Sequence, residues 1–196
     1  MDNIYNNKEK YVNTYQQKPY YLKGDFDFND DFYRQKYVER AELEKKSSIA
    51  HMGEIVVSTR EKPIVGTIGL ATCYGIIFYD RKNKKAWVGH GPASAPIFTL
   101  SIMLKDIKNV IGDLEYGIIP SWDNIKKHDF KICDEMDDYL HRNCPKYIRL
   151  LQITNLDIKQ DNRSNPSYEF AFNAETGKSV TYELFCEEDF LSSRKK

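Results

Sequence analysis

Cys73 and His90 stand seventeen residues apart, and a thiol paired with an imidazole is a compact device for nucleophilic chemistry. A cysteine attacks as its thiolate, and histidine is the usual base that generates it at neutral pH. The thiol closes the segment Thr67-Ile68-Gly69-Leu70-Ala71-Thr72-Cys73, which reads as a strand ending in a small-residue turn. The imidazole follows Trp87-Val88-Gly89, a strand, and precedes Gly91-Pro92. A third polar group ordinarily fixes the tautomer of such a histidine, and Thr67, six residues before the cysteine, is the candidate. Spacing alone is a weak signal. The chain has four cysteines and four histidines, and a buried strand cysteine beside a backbone-satisfied turn histidine is the plain alternative.

The other thiols and imidazoles carry less. Cys133, Cys144 and Cys186 form no C-x-x-C pair with one another or with Cys73, which speaks against a zinc ribbon or a redox couple. Cys133 and Cys144 read as core or surface thiols. His51, His128 and His141 have no partner in the pattern and read as surface or structural. Trp87 and Trp122 read as core or rim aromatics. Ser94 and Thr99 lie close enough in sequence to His90 to line the same cleft, with a helix start as the preferred reading for Ser94. No metal or cofactor motif and no Gly-rich phosphate loop is present.

The elements that must hold these residues can be read from periodicity. Strands are expected at 54–57, 64–70, 74–79 and 85–88, with a polar hairpin turn at 80–84. Pro96 suits the first turn of a helix whose apolar positions Ile97, Leu100, Leu104, Ile107 and Ile111 repeat at helical spacing, with Gly112 as its stop. A strand at 114–119, a helix at about 129–143 and a strand at 147–153 follow. A hairpin of 167–173 with 179–183 turns around Glu175-Thr176-Gly177. Strands flanking two helices predict an α+β sandwich with mostly antiparallel strands and two main helices packed on the sheet.

Composition sets the frame. Of 196 residues, 41% are hydrophobic, and 29 basic side chains balance 29 acidic ones. A core is affordable within one domain, and no global basic field points to nucleic acid. No apolar run is long enough to span a membrane. The first residues lack the charged-then-apolar pattern of a signal peptide, so a cytoplasmic protein, or an effector secreted without a cleaved signal, is expected. Residues 1 to about 24 are rich in Asn, Gln, Lys and Tyr and show no period, and seven of the fourteen tyrosines fall in the first fifty residues. This predicts an N-terminal extension over 1–48 that is partly disordered or loosely packed, with a short charged helix from Phe32 to Lys46. The domain itself is expected over 49–190, with a tail at 191–196.

Three segments taken together carry a resemblance. They are Met52-Gly53-Glu54-Ile55-Val56-Val57-Ser58, the run Thr67-Ile68-Gly69-Leu70-Ala71-Thr72-Cys73-Tyr74-Gly75-Ile76-Ile77-Phe78-Tyr79-Asp80, and His90. They resemble the core motif of the CheD family, the chemoreceptor glutamine deamidases of bacterial chemotaxis. The likeness runs from Met52 to about Ile107 and returns at Tyr168–Lys178, which is similar to the family's last hairpin. Ala71-Thr72 stands where the family has Gly-Ser. The resemblance implies a Cys-His-Thr triad at Cys73, His90 and Thr67, and hydrolysis of a glutamine side-chain amide without metal or cofactor. It implies a protein substrate with an exposed glutamine, which is a chemoreceptor or the host or competitor target of an effector. Cytotoxic necrotizing factor catalytic domains share the family's fold, so it extends to toxins. CheD-like chains also dock a phosphatase partner, so a non-catalytic binding module is the alternative, and another cysteine hydrolase or a transglutaminase is a third.

Overall fold

The computed structural model describes residues 45–153, 156–161 and 167–180. The expected extension up to residue 44, Cys186 and the tail at 191–196 lie outside these residues.

Ten strands and three helices are described. In chain order they are β1 (Ser47–Ala50), β2 (Ile55–Val57), β3 (Ile64–Leu70), β4 (Tyr74–Asp80), β5 (Lys85–Gly91), α1 (Pro96–Ile107), β6 (Gly112–Ile119), α2 (Trp122–Lys127), α3 (Lys131–Asn143), β7 (Ile148–Gln152), β8 (Lys159–Asp161), β9 (Ser167–Asn173) and β10 (Lys178–Val180). They form two five-stranded sheets. The first runs β1-β3-β9-β10, with β8 also on β9. β10 pairs with Ala171–Asn173 and β8 with Ser167–Glu169, so the two short strands follow each other along one edge of β9. The second runs β2-β5-β4-β6-β7. Most pairings are antiparallel, and β1 with β3 and β6 with β7 are parallel. The fold is an α+β sandwich.

Alternation along β4 explains the layering. Successive strand side chains point to opposite faces. Ile77 and Tyr79 join Val65, Leu70, Phe170 and Phe172 in the core between the sheets. Tyr74, Ile76 and Phe78 face the other way and pack with Leu100, Met103 and Ile107 of α1 and Met136 and Leu140 of α3. A strand buried on both faces has no polar side, and all seven residues of β4 are buried. The Tyr79 hydroxyl donates to the Ala174 carbonyl at 3.0 Å, and its ring meets Phe172 edge-on at 4.8 Å. These contacts tie the sheets together near one end of β4, and Cys73 and Gly75 lie at the other.

Several elements differ from expectation. β5 continues through Gly91, so His90 lies within the strand rather than past it. α1 stops at Ile107, and Ile111 is 77% exposed. The reason is competition. Gly112, at φ +117°, already pairs with Ile148 as the first residue of β6, so the chain must leave the helix before it. The Tyr147 hydroxyl donates to the Lys108 carbonyl at the helix end. Ser94 does not cap α1. Ala95 holds that position, without a side-chain hydrogen bond. β1, β8 and α2 were not expected at all.

Candidate active site

Thr67 and His90 belong to different sheets, and they meet across the interior. The Thr67 hydroxyl donates to the Ala50 carbonyl of adjacent β1 at 2.8 Å, and its oxygen lies 2.8 Å from His90 Nδ1. A hydroxyl has one proton to give. With that proton on the Ala50 carbonyl, the Thr67 oxygen accepts from Nδ1–H. This assigns the ring proton to Nδ1 and leaves Nε2 as the basic nitrogen. Nε2 is buried, and it makes no hydrogen bond among the described residues. An unsatisfied buried polar atom is costly, and such atoms are uncommon enough to call for an explanation.

The imidazole is 3% exposed. Burial pushes its pKa below the ordinary histidine value, and the Ala50 carbonyl works in the opposite direction. His51 adds to the depression and Glu54 opposes it. Both sit on the turn between β1 and β2, which grips the histidine's main chain. Gly53 N–H donates to the His90 carbonyl at 2.8 Å, and His90 N–H donates to the Glu54 carbonyl at 3.0 Å. The result is a neutral, oriented imidazole held in place from two sheets.

Cys73 comes one residue before β4. Gly75 pairs directly with His90. Cys73, two residues earlier, therefore falls on the same interior face as a diagonal neighbour of the histidine, a relation that separates backbones by roughly 7–8 Å. A side chain at position 75 would intrude here. A Cβ on Gly75 would stand 3.0 Å from Leu70 Cδ1 and 3.2 Å from Ile119 Cδ1. Cys73 packs in the cluster that holds Leu70, Ile119 and Tyr168, and it retains 8% exposure. It makes no hydrogen bond with His90 Nε2.

The path from Thr67 to Cys73 is not a plain strand. The β3–β9 register shifts between Thr67 and Leu70, and Gly69 takes φ +77°. A bulge re-aims the side chains that follow it. It allows Thr67 and Leu70, three residues apart, both to serve the interior. The turn that follows is held by Ala71 N–H on the Gly69 carbonyl at 2.8 Å and by Asp123 N–H, from α2, on the Ala71 carbonyl at 3.0 Å. The Cys73 N–H donates no hydrogen bond among the described residues.

Of the three residues singled out in the sequence, Thr67 and His90 are in direct contact, and Cys73 shares their face without bonding to either. Ala50 was not singled out. It acts through its carbonyl, which no sequence motif marks. Thr99 is buried, and its Oγ1 would lie 3.0 Å from a Cβ on Gly91, on the α1 face of β5 and so opposite the face that carries the His90 ring and Cys73, so it does not line their cleft. His51, His128 and His141 are exposed. His141 lies 3.8 Å from Asp137, on α3 and away from Cys73. Cys133 is buried on α3, and Cys144 is half-buried at its end. Among the described residues no group of three or more His, Cys, Asp or Glu side chains is placed to hold a metal ion, and no helix is long and apolar enough to cross a membrane. No protein-family model matches the chain, and no curated protein matches it.

Proposed function

We propose that the chain is a cysteine-dependent protein-glutamine deamidase of CheD-like type. The observation that carries the reading is the state of His90. Its Nδ1–H is engaged by Thr67, and its buried Nε2 has no hydrogen-bond partner among the described residues, on the face that also carries Cys73. A base needs its acceptor nitrogen free and its tautomer fixed.

The reaction follows from these roles. Nε2 takes the Cys73 proton, and the thiolate attacks the glutamine Cδ. The Cys73 backbone N–H is the available donor to the oxyanion that forms. Collapse breaks the Cδ–N bond as His90 returns the proton to departing ammonia. Water, deprotonated by the same nitrogen, then opens the thioester to glutamate and free thiol. Thr67 keeps the ring in one tautomer throughout. The closing of the Cys73–His90 distance falls to the substrate complex, since catalytic hydrogen bonds are often long before substrate binds.

The substrate is a protein with an exposed glutamine, either a chemoreceptor or the target of an effector. The assay is incubation with candidate lysates, followed by mass spectrometry for amide-to-acid conversion. Cys73→Ser should abolish conversion, because an alcohol of much higher pKa replaces the thiolate. A Cys73→Ser protein that converts glutamine at the native rate ends the nucleophile assignment. A non-catalytic CheD-like module that docks a signalling partner is the second reading, and the lack of a Cys73–His90 hydrogen bond favours it. Rapid stoichiometric alkylation of Cys73 at neutral pH separates the two, since only the enzyme requires a reactive thiol. Methylamine offered beside water tests for a transglutaminase.

A further inference from the structure

Ser121 and Asn124 form a polar knot behind the turn that carries Cys73. Ser121 is fully buried and caps α2, with its Oγ accepting from Asn124 N–H at 3.1 Å. The Ser121 hydroxyl donates to Asn124 Oδ1. The same oxygen accepts from the Tyr74 hydroxyl at 2.7 Å, and Asn124 Nδ2 donates to the Asp129 carbonyl at 2.8 Å. Two lines run from this knot to the cysteine. Tyr74 is its chain neighbour. Asp123, between the knot's two members, donates its N–H to the Ala71 carbonyl at 3.0 Å. The β4–β6 register pairs Gly75 with Ile119, and its continuation sets Ser121 across from Cys73.

We propose that Ser121 and Asn124 are positioning residues for Cys73, fixing the direction of its backbone N–H through the Asp123–Ala71 hydrogen bond and the Tyr74 hydroxyl. The inference rests on the deamidase reading, in which that N–H meets the oxyanion. The knot ties down the turn on the side away from His90. Without it, the Asp123 N–H is no longer aimed and the Ala71-Thr72 turn can rotate. The Cys73 side chain keeps its face relative to His90, because the Tyr74–Gly91 and Gly75–His90 pairs of the β4–β5 ladder follow it directly in the chain. The knot therefore acts on the oxyanion donor and not on the thiolate.

That separation defines the test. Iodoacetamide alkylates a thiolate by direct displacement and forms no oxyanion. p-Nitrophenyl acetate acylates it through a tetrahedral oxyanion, and the nitrophenolate burst reports the rate. The wild-type chain should show both reactions, each lost in Cys73→Ser. Ser121→Ala should slow the acylation burst about tenfold, the scale of effect expected from a misaimed group, with alkylation within about twofold of wild type. Ser121→Thr, which keeps an oxygen cap, should restore the burst. Tyr74→Phe removes one hydroxyl with almost no change of shape and should slow the burst about threefold. It carries the test if Ser121→Ala does not fold. A burst unchanged in the folded variants overturns the positioning role and leaves the deamidase reading standing. Equal slowing of burst and alkylation also overturns it, because the knot would then act on the thiol. A wild-type chain with no Cys73-dependent burst overturns the deamidase reading and the positioning role together.

Discussion

His90 enters the folded state as a neutral ring, and this has a consequence for pH. Its folded pKa lies below the unfolded value of about 6.5, chiefly because of burial. Between those two values the unfolded chain binds more protons than the folded one, so stability rises with pH. The contribution is complete above about pH 6.5 and is lost as pH falls toward the folded pKa. Urea midpoints of wild type should therefore drop further than those of His90→Gln between about pH 7.5 and about pH 5.5. His51 and Glu54, the neighbours that perturb the ring, are common to both proteins. Parallel pH dependence in the two would mean that the histidine is not held neutral. Thr67→Val offers a second check at the same scale. It keeps the shape and deletes the hydroxyl, leaving His90 Nδ1–H and the Ala50 carbonyl without their shared partner. Guanidinium or thermal melts should register a loss of about 1–3 kcal/mol. Alkylation of Cys73 should slow by less than in His90→Ala, because an orienting group supplies only part of the effect. Cysteine, histidine and threonine were legible in the sequence because their side chains have chemistry to announce. Ala50 was not, since any residue has a carbonyl. The Ser121–Asn124 knot did leave a trace. Ser121-Trp122-Asp123-Asn124 has the spacing of a capping box with Asn in place of Glu or Gln.

At the scale of elements, β3 shows what the sequence can and cannot carry. Its span was readable from the β-branched run that begins at Ile64. Its bulge was not, although Gly69 was in view, because a glycine in a strand does not say which way the chain turns. At φ +77° the backbone tolerates an L side chain poorly even though a Cβ there meets nothing within 4 Å. Gly69→Ala should therefore destabilise by about 1–2 kcal/mol through backbone strain alone. The measurement is a denaturant melt. An unchanged midpoint would show that the bulge can relax without positive φ. The helical spacing runs past the end of α1 to Ile111. The helix instead yields to the β6–β7 pairing, a long-range contact that local spacing does not encode. β1 and β8 have four and three residues. Strands that short carry too little alternation to stand out from loops.

For the whole molecule, β1, outermost in its sheet among the described residues, matters more than its length suggests. It supplies the carbonyl that fixes the Thr67 proton, and it begins at Ser47, inside the segment expected to be an extension. Two truncations separate these roles. A chain starting after residue 44 keeps β1, and one starting after residue 50 loses it. The longer deletion should melt lower by on the order of 5 °C and alkylate Cys73 more slowly than the shorter one. Equal melting and alkylation would mean that β1 contributes nothing to the Thr67–His90 pair. The α+β class and the layering were legible because hydrophobic periodicity reports which faces are buried. The docking of one sheet on the other was not, since periodicity never names the face opposite. That docking has a further meaning for the histidine. The Thr67–His90 bond joins two halves, each a sheet with its own ladder. A slip of one half by a single ångström would leave every strand intact and still release the ring to flip or change tautomer. In the proposed deamidase, Cys73 reactivity would gauge sheet alignment, and it would fail while circular dichroism still recorded a fully folded protein.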